Sequence, residues 1–375
     1  MTSPLVRAFP GTGSLPSAGI AVLPTPVEQF PELAEEIGIA RLMVKRDDLT
    51  SPVYGGNKVR KLEYLLGEAL AEGRKAVITY GAYGSNHALA TAVHARALGL
   101  EPHAVLSPQA PGPFASATLR AHAGLGTVLY PVDGWDGARE AVRAKLLLAE
   151  RDGIAPYEIP MGGSNALGAI GYVDAAIEVV DQLRAINADI DGADISAYWR
   201  PDFVYLPLGT MSTAIGLAIG MAAVGAHTRV VGVRVTPEAV ASEAKLIEMI
   251  EEAVKRLREL DPTFPDLGYG DLTFSMRDDW FEPGYGVVTR ETEEAVSIAA
   301  ALGLKLETTY TGKAFAALVD DARDGILAGK QVMFWDTYNS APMPSAGPTG
   351  ALPDVLQAYV AQCDQAFPSS TEGTE

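Results

Sequence analysis

The chain has 375 residues and carries 29 Lys and Arg against 47 Asp and Glu, a formal net charge of −18. With 48% hydrophobic and 20% charged residues it reads as a globular chain, long enough for two domains at roughly 100–200 residues each. The acidic balance argues against nucleic acid and against an anionic membrane surface as partners, and the single cysteine, Cys363, excludes an internal disulfide and a thiolate zinc site.

The stretch up to about residue 31 is rich in Pro, Gly and Ser and predicts an irregular arm, without the basic start and apolar run of a signal peptide. An apolar run at 41–45 predicts a strand. A Tyr54-Gly55-Gly56 turn leads to Asn57 in the position of a helix N-cap, and Leu62, Leu65, Leu66 and Ala69 follow at helical spacing. Strands at 76–80, 103–106 and 127–130 alternate with helices at 86–98, 116–123 and 135–150, the pattern of parallel βαβ units. A turn after Ile159 opens another helix, 190–198 is a polar connection, and a strand at 203–206 runs into a small-residue turn and an apolar helix. A strand at 229–235, a helix at 239–260 and a Pro-, Gly- and aromatic-rich loop at 261–286 come next. Helices at 291–302 and 312–324 and a strand at 331–335 close the fold, and the tail from residue 366 is expected to be disordered. Five scattered histidines show no ligand spacing, so no metal is expected, and no run of about 18 apolar residues predicts a membrane span. The expected location is the cytoplasm.

Four constellations carry chemistry. In Gly55-Gly56-Asn57-Lys58 the glycines allow close approach of a ligand, and the dipole at a helix start lowers the pKa of Lys58, which opens it to Schiff-base chemistry. The same residues fit a solvated lysine. Gly209-Thr210-Met211-Ser212-Thr213 follows a strand and opens a helix, so its N–H groups and hydroxyls suit an anion or form an ordinary capped turn. It matches no nucleotide fingerprint. Ser85, Asn86 and His87 present donors at the carboxyl edge of a parallel sheet, or else Ser85 caps a helix on which His87 packs. No nucleophile elbow surrounds Ser85, which weakens a serine hydrolase reading. Tyr285 in PGYG and Tyr310 in TTYTGKA offer phenols that pass a proton or simply pack; Tyr269 in LGYG has the same local context as Tyr285.

Taken together, KRDDLTSPVYGGNKVRKLEYLL, YGAYGSNHALATAVHARALG, IPMGGSNALGAIGYV, the GT-x-ST turn, PGYG and YTGKA resemble the pyridoxal-phosphate enzymes of fold type II, specifically the D-cysteine desulfhydrase and 1-aminocyclopropane-1-carboxylate (ACC) deaminase family. The likeness covers about residues 24–338. It implies an α/β fold of two domains with open parallel sheets covered by helices, similar to the β subunit of tryptophan synthase. A large cofactor domain (1–60 and 165–365) would hold a small domain (61–164) as an insert, with pyridoxal 5'-phosphate in the cleft and a homodimer as the assembly. Lys58 matches the Schiff-base lysine with Asn57 beside it. Asn86 matches the residue on the cofactor's 3'-oxygen, and Ser85 the serine at the substrate carboxylate and α-carbon, next to His87. Gly209, Thr210, Met211, Ser212 and Thr213 match the phosphate cup. Tyr285 and Tyr310 match the two active-site tyrosines, and the T-x-E-T-x-E-A helix start behind Tyr285 favours it over Tyr269.

Thr311 matches the position facing the pyridine nitrogen, where ACC deaminases have a glutamate. A neutral hydroxyl there makes a weaker electron sink, which suits α,β-elimination of a good leaving group. The resemblance therefore implies a lyase similar to D-cysteine desulfhydrase, releasing pyruvate, ammonia and sulfide from a small amino acid. ACC deamination, racemisation, β-replacement and a non-catalytic binding role are the alternatives. One departure stands out: where the family reads H-T-G-G, this chain has Asp336-Thr337-Tyr338-Asn339. Asn339 is expected to reach the substrate and alter its choice.

Overall fold

The computed structural model describes residues 2–133, 137–188 and 199–368. In chain order the first elements are α1 (Pro4–Ala8), β1 (Val27–Gln29), α2 (Pro31–Ile37), β2 (Arg41–Arg46) and α3 (Lys58–Ala71). Then come β3 (Ala76–Ala82), α4 (Asn86–Ala97), β4 (Glu101–Ser107), α5 (Pro113–Leu125), β5 (Val128–Pro131), α6 (Gly137–Asp152) and β6 (Tyr157–Ile159). The chain continues through α7 (Ala166–Ala188), β7 (Phe203–Leu208), α8 (Ser212–Ala223), β8 (Arg229–Arg234), α9 (Glu243–Leu260) and β9 (Phe274–Arg277). It ends with α10 (Arg290–Ala301), α11 (Thr311–Arg323), β10 (Gln331–Asp336) and α12 (Asp354–Ala366). Among the described residues no helix is long and apolar enough to cross a membrane.

Contacts divide the chain into two units. The first takes the residues up to Leu15, Ala21–Tyr64 and Ser164–Ser340. Its six-stranded sheet has the order β1-β2-β10-β7-β8-β9 and is parallel except for β1, which runs antiparallel to β2. Strand side chains alternate between the two faces. Met333 and Trp335 join Val204, Leu206 and Leu208 in a core with α7, α8 and α9. Val332 and Phe334 join Tyr205 in a second core with α2, α10 and α11. The second unit takes Pro16–Ile20, Leu65–Gly163 and the chain from Ala341 on. Its four-stranded sheet, β5-β4-β3-β6, is parallel throughout.

Several elements differ from the sequence expectation. The N-terminal arm is not irregular throughout. Proline opens α1 and α2 in the first helical turn, where its missing N–H costs nothing, and the Leu5 N–H is tied to Asp174 Oδ1 of α7 at 2.7 Å. Helix α9 starts at Glu243 rather than residue 239, because Ser242 caps it through the Lys245 N–H at 3.4 Å. The 261–286 loop contains β9, which extends the sheet from β8. Helix α12 was not expected at all, and Ala366, assigned to a disordered tail, is its last residue. Leu356, Tyr359, Val360 and Cys363 form its buried stripe. This helix packs with Leu119 of α5, Gly347 donates to the Arg120 carbonyl at 2.8 Å, and Arg120 pairs with Asp364 at 2.5 Å. The segment after Ser340 therefore belongs to the second unit and not, as the sequence placed it, to the large domain. The 190–198 connection, Trp135 and residues 369–375 of the tail lie outside the described residues.

Helices α7 and α8 lie against each other through glycine. A Cβ at Gly216 would collide with the Ala169 carbonyl and the Tyr172 side chain, and one at Gly220 would meet Ala176 and Val173. Gly216→Ala should therefore lower stability by about 1–3 kcal/mol. Gly270→Ala, with nothing within 4 Å of the new Cβ, should leave it unchanged. Urea midpoints of the two variants measured side by side check this.

Candidate active site

The site in the first unit rests on a buried ion network. Asp47, directly after β2, is fully buried and accepts hydrogen bonds from Arg60 Nε and Nη2, Thr25 Oγ1, Tyr172 OH and Trp335 Nε1, at 2.7–3.0 Å. Arg60 also pairs with Glu178 at 2.8 Å, and Glu178 with Lys45 at 2.6 Å. Burial alone would raise the Asp47 pKa, but the Arg60 guanidinium and the other donors hold it below the ordinary carboxylate value. The Asp47 carbonyl accepts the Gly56 N–H at 3.0 Å, so the network fixes the turn that delivers Lys58.

Lys58 opens α3 and is half-buried. Its Nζ donates to Asn57 Oδ1 at 3.0 Å, and Asn57 Nδ2 donates to Thr213 Oγ1 at 3.0 Å. One amide thus joins the lysine to the β7–α8 turn. Burial lowers the Lys58 pKa to about 8, against the opposing pull of the Glu307 carboxylate. Lys61, one turn further along α3, is 2% exposed, and burial together with Lys58 holds its pKa well below the ordinary value.

The β7–α8 turn is a cradle of donors. Gly209 follows the strand, and a Cβ there would meet only Thr236 and Tyr310, at 3.8 Å each. Met211 has φ +73°, the one positive value at a non-glycine residue among the described residues. Ser212 and Thr213 are buried in the first turn of α8. Ser164 Oγ bonds the hydroxyls of Thr210 at 2.6 Å and Ser212 at 2.8 Å.

The hydroxyls of Tyr285 and Tyr310 are hydrogen-bonded to each other, and burial raises both phenol pKa values, so both stay neutral. Tyr310 precedes α11, whose first turn is capped by Glu307. That carboxylate accepts the N–H groups of Thr309, Tyr310 and Thr311 at 2.7–2.8 Å. Thr311 is buried, and its Oγ1 accepts the Glu307 N–H at 3.0 Å. Tyr269 lies in a separate short turn and is 37% exposed. The Oδ1 of Asn339 accepts the Gly55 N–H at 2.6 Å, so this side chain fastens the lysine turn.

In the second unit Ser85 caps α4 through the Ala88 N–H at 3.2 Å, and Asn86 is the first helical residue. His87 is 3% exposed, with Nε2 bonded to Thr79 Oγ1 at 2.8 Å. That bond ties its imidazole to β3.

A lysine of lowered pKa, joined by one amide to a helix N-terminus lined with hydroxyls, suits a ligand with an aldehyde at one end and a phosphate at the other. Residues 20–337 match the model of the pyridoxal-phosphate dependent enzymes. The chain belongs to that family, and its cofactor is pyridoxal phosphate. It is 36% identical over 302 residues to the D-cysteine desulfhydrase of Klebsiella pneumoniae (strain 342), covering 79% of this chain and 85% of that protein. It superposes on the crystal structure of an ACC deaminase homologue with a TM-score of 0.73 and 31% identity, over 91% of this chain and 96% of that one. A threonine deaminase from Solanum lycopersicum shares the fold at a TM-score of 0.57 and 16% identity, over 96% and 88% of the two chains. The fold is that of the type II enzymes.

Sequence reasoning passed over Ser164, Lys61 and Glu307. Ser164 stood in the quoted GGSN turn, and an acid three residues before Tyr310 at a helix start is a capping signal. The ion network was hidden because its members lie up to 288 residues apart.

Two outcomes follow. Asp47→Ala strands Arg60 and should cost about 3–5 kcal/mol in denaturant unfolding. Since the folded pKa of Asp47 lies below the unfolded one, its contribution is present at neutral pH and lost as pH falls below the usual carboxylate range. The variant should accordingly show a flatter acid limb. A lysine pKa of about 8 makes the neutral amine the major form above that pH, so borohydride trapping of pyridoxal phosphate on Lys58 should level off near pH 8. Continued rise toward the ordinary lysine value would contradict the shift.

Proposed function

We propose that the chain is a pyridoxal-phosphate-dependent lyase that removes a β-substituent from a small amino acid by α,β-elimination, as a D-cysteine desulfhydrase does. With D-cysteine, one water would be consumed and pyruvate, ammonia and sulfide released. The observation that carries this reading is Lys58 Nζ, of lowered pKa, joined through Asn57 to the Thr213 hydroxyl.

The bound cofactor supplies an electron sink for negative charge at the substrate α-carbon. The Gly209–Thr213 turn and Ser164 would hold its phosphate. Asn57 would orient Lys58, and Asn86 would donate to the ring oxygen. Ser85 would hold the substrate carboxylate. Once displaced by substrate, Lys58 Nζ would take the α-proton, helped by a pKa near 8. Tyr310 OH, kept neutral by burial and fixed by Tyr285, would protonate the leaving thiolate. Thr311 offers a neutral hydroxyl where a carboxylate would strengthen the sink, and this favours elimination over ring opening of ACC. A cytoplasmic homodimer completes the reading, with light scattering as the check on assembly.

The test is the visible spectrum of the holoenzyme together with keto-acid release on addition of D-cysteine, L-cysteine, D-serine and ACC. A band shift with pyruvate from D-cysteine is the expected result. A shift without keto acid would turn the reading toward racemisation or replacement. Lys58→Ala should reduce turnover by about 10²–10⁴-fold or more and abolish borohydride trapping.

A further inference from the structure

We propose that Tyr338 is a specificity-determining residue that limits the length of the substrate's β-substituent; this rests on the lyase reading of the Lys58 site. The main chain of residues 336–340 is fastened on both sides. Asn57 N–H donates to the Thr337 carbonyl at 3.2 Å, Tyr338 N–H to Asp336 Oδ1 at 3.1 Å, and Ser340 Oγ to Asp48 Oδ2 at 2.6 Å. Gly56 has φ +88°, and a Cβ there would lie 2.8 Å from the Tyr338 carbonyl oxygen. The backbone that carries the Tyr338 ring is therefore held against the two residues that precede Lys58. These contacts are made by main chain and by other side chains, so the ring itself is not needed for them.

The ring stands in the electrostatic neighbourhood of the reacting groups. Glu307 acts on Tyr338 and also on Lys58, Tyr285 and Tyr310. Lys305 Nζ caps the ring at 5.7 Å from its centroid. Tyr54, 1% exposed, also lies near enough to feel the Tyr338 phenol. Tyr338 itself is half-buried. On this proposal the phenol is the wall that the substrate's β-substituent meets. A substituent of one heavy atom, a thiol or hydroxyl, would stop short of it, whereas a thioether would carry a further methyl toward the ring. Asn339, the other side chain new to this loop, is committed to Gly55.

The experiment compares wild-type holoenzyme with Tyr338→Ala, Tyr338→Phe and Tyr338→Trp on cysteine and S-methylcysteine of the configuration that the wild type accepts. The ratio of kcat/KM for S-methylcysteine over cysteine should rise about tenfold or more in Tyr338→Ala, mainly through KM. It should stay unchanged in Tyr338→Phe, which keeps the ring, and fall in Tyr338→Trp, which still reports if the alanine variant does not fold. An unchanged ratio in both Ala and Trp variants overturns the proposal, and so does a rise in Phe equal to that in Ala. If the wild type releases no keto acid from either amino acid, the lyase reading fails by itself. The ratio of dissociation constants read from the shift of the visible band then tests Tyr338 alone, with the same direction expected.

Discussion

The Asp47 carboxylate is the point on which the first unit is hung. It gathers the indole of β10, the phenol of α7, the guanidinium of α3 and a hydroxyl from the N-terminal arm. Two cations, Arg60 and Lys45, face two carboxylates, Asp47 and Glu178, all of them buried. Such a cluster is not a cheap source of stability, because desolvating each ion costs several kcal/mol that the pairing only offsets. Its effect lies in uniqueness. With one partner displaced, a buried charge is left without its counter-charge, so β2, α3, α7 and β10 tolerate a single arrangement. The Gly55–Lys58 turn inherits that precision through the Asp47 carbonyl.

The same logic governs charge at the lysine. Burial depresses the Lys58 ammonium, and a nearby carboxylate raises it, so the balance leaves a group near neutrality in its working range. Burial raises the Glu307 pKa, and the backbone N–H groups that it accepts oppose that rise. Three backbone N–H groups leading into α11 hold the carboxylate. It therefore acts on Lys58 as a background field. The same three bonds fix the main chain of Tyr310, so the tuning of the base and the placement of the candidate acid share one anchor.

Much of this was legible in the sequence wherever the information is local. The unbroken apolar run from Val332 to Trp335 encodes a central strand buried on both faces, and the Gly-Gly-Asn-Lys turn carries its chemistry in consecutive residues. The resemblance supplied the cofactor. What escaped is what depends on partners distant in sequence. The five-residue α1 and three-residue β1 are too short to show a period, and exist because Asp174 and β2 receive them. Strand β9 is four residues in a Pro- and Gly-rich stretch, and only the edge of β8 makes it a strand. Helix α12 does show its stripe, but it follows eleven residues dense in Pro, Gly and Ser that look like the start of a tail. His87 and Asn339 were read as substrate contacts because both types offer polar atoms; Thr79 bonds His87 Nε2, and the Gly55 N–H bonds Asn339 Oδ1.

The commitment of Thr311 has the same character and bears on the chemistry. Its hydroxyl oxygen accepts the Glu307 N–H at 3.0 Å, while the Glu307 carbonyl and carboxylate, at 3.3 and 3.4 Å, stand on the side where its proton can go. The hydroxyl is thus part of the α11 cap and carries no charge outward. A carboxylate does lie within four residues of it, yet that charge is turned inward onto the helix N-terminus. The first turn of α11 therefore presents a neutral surface, although an acid sits inside it. On the proposed lyase reading, a neutral surface at that position would leave a weaker electron sink, which would be enough for a thiolate departing from the β-carbon while the α-carbon still carries a proton for Lys58 to remove.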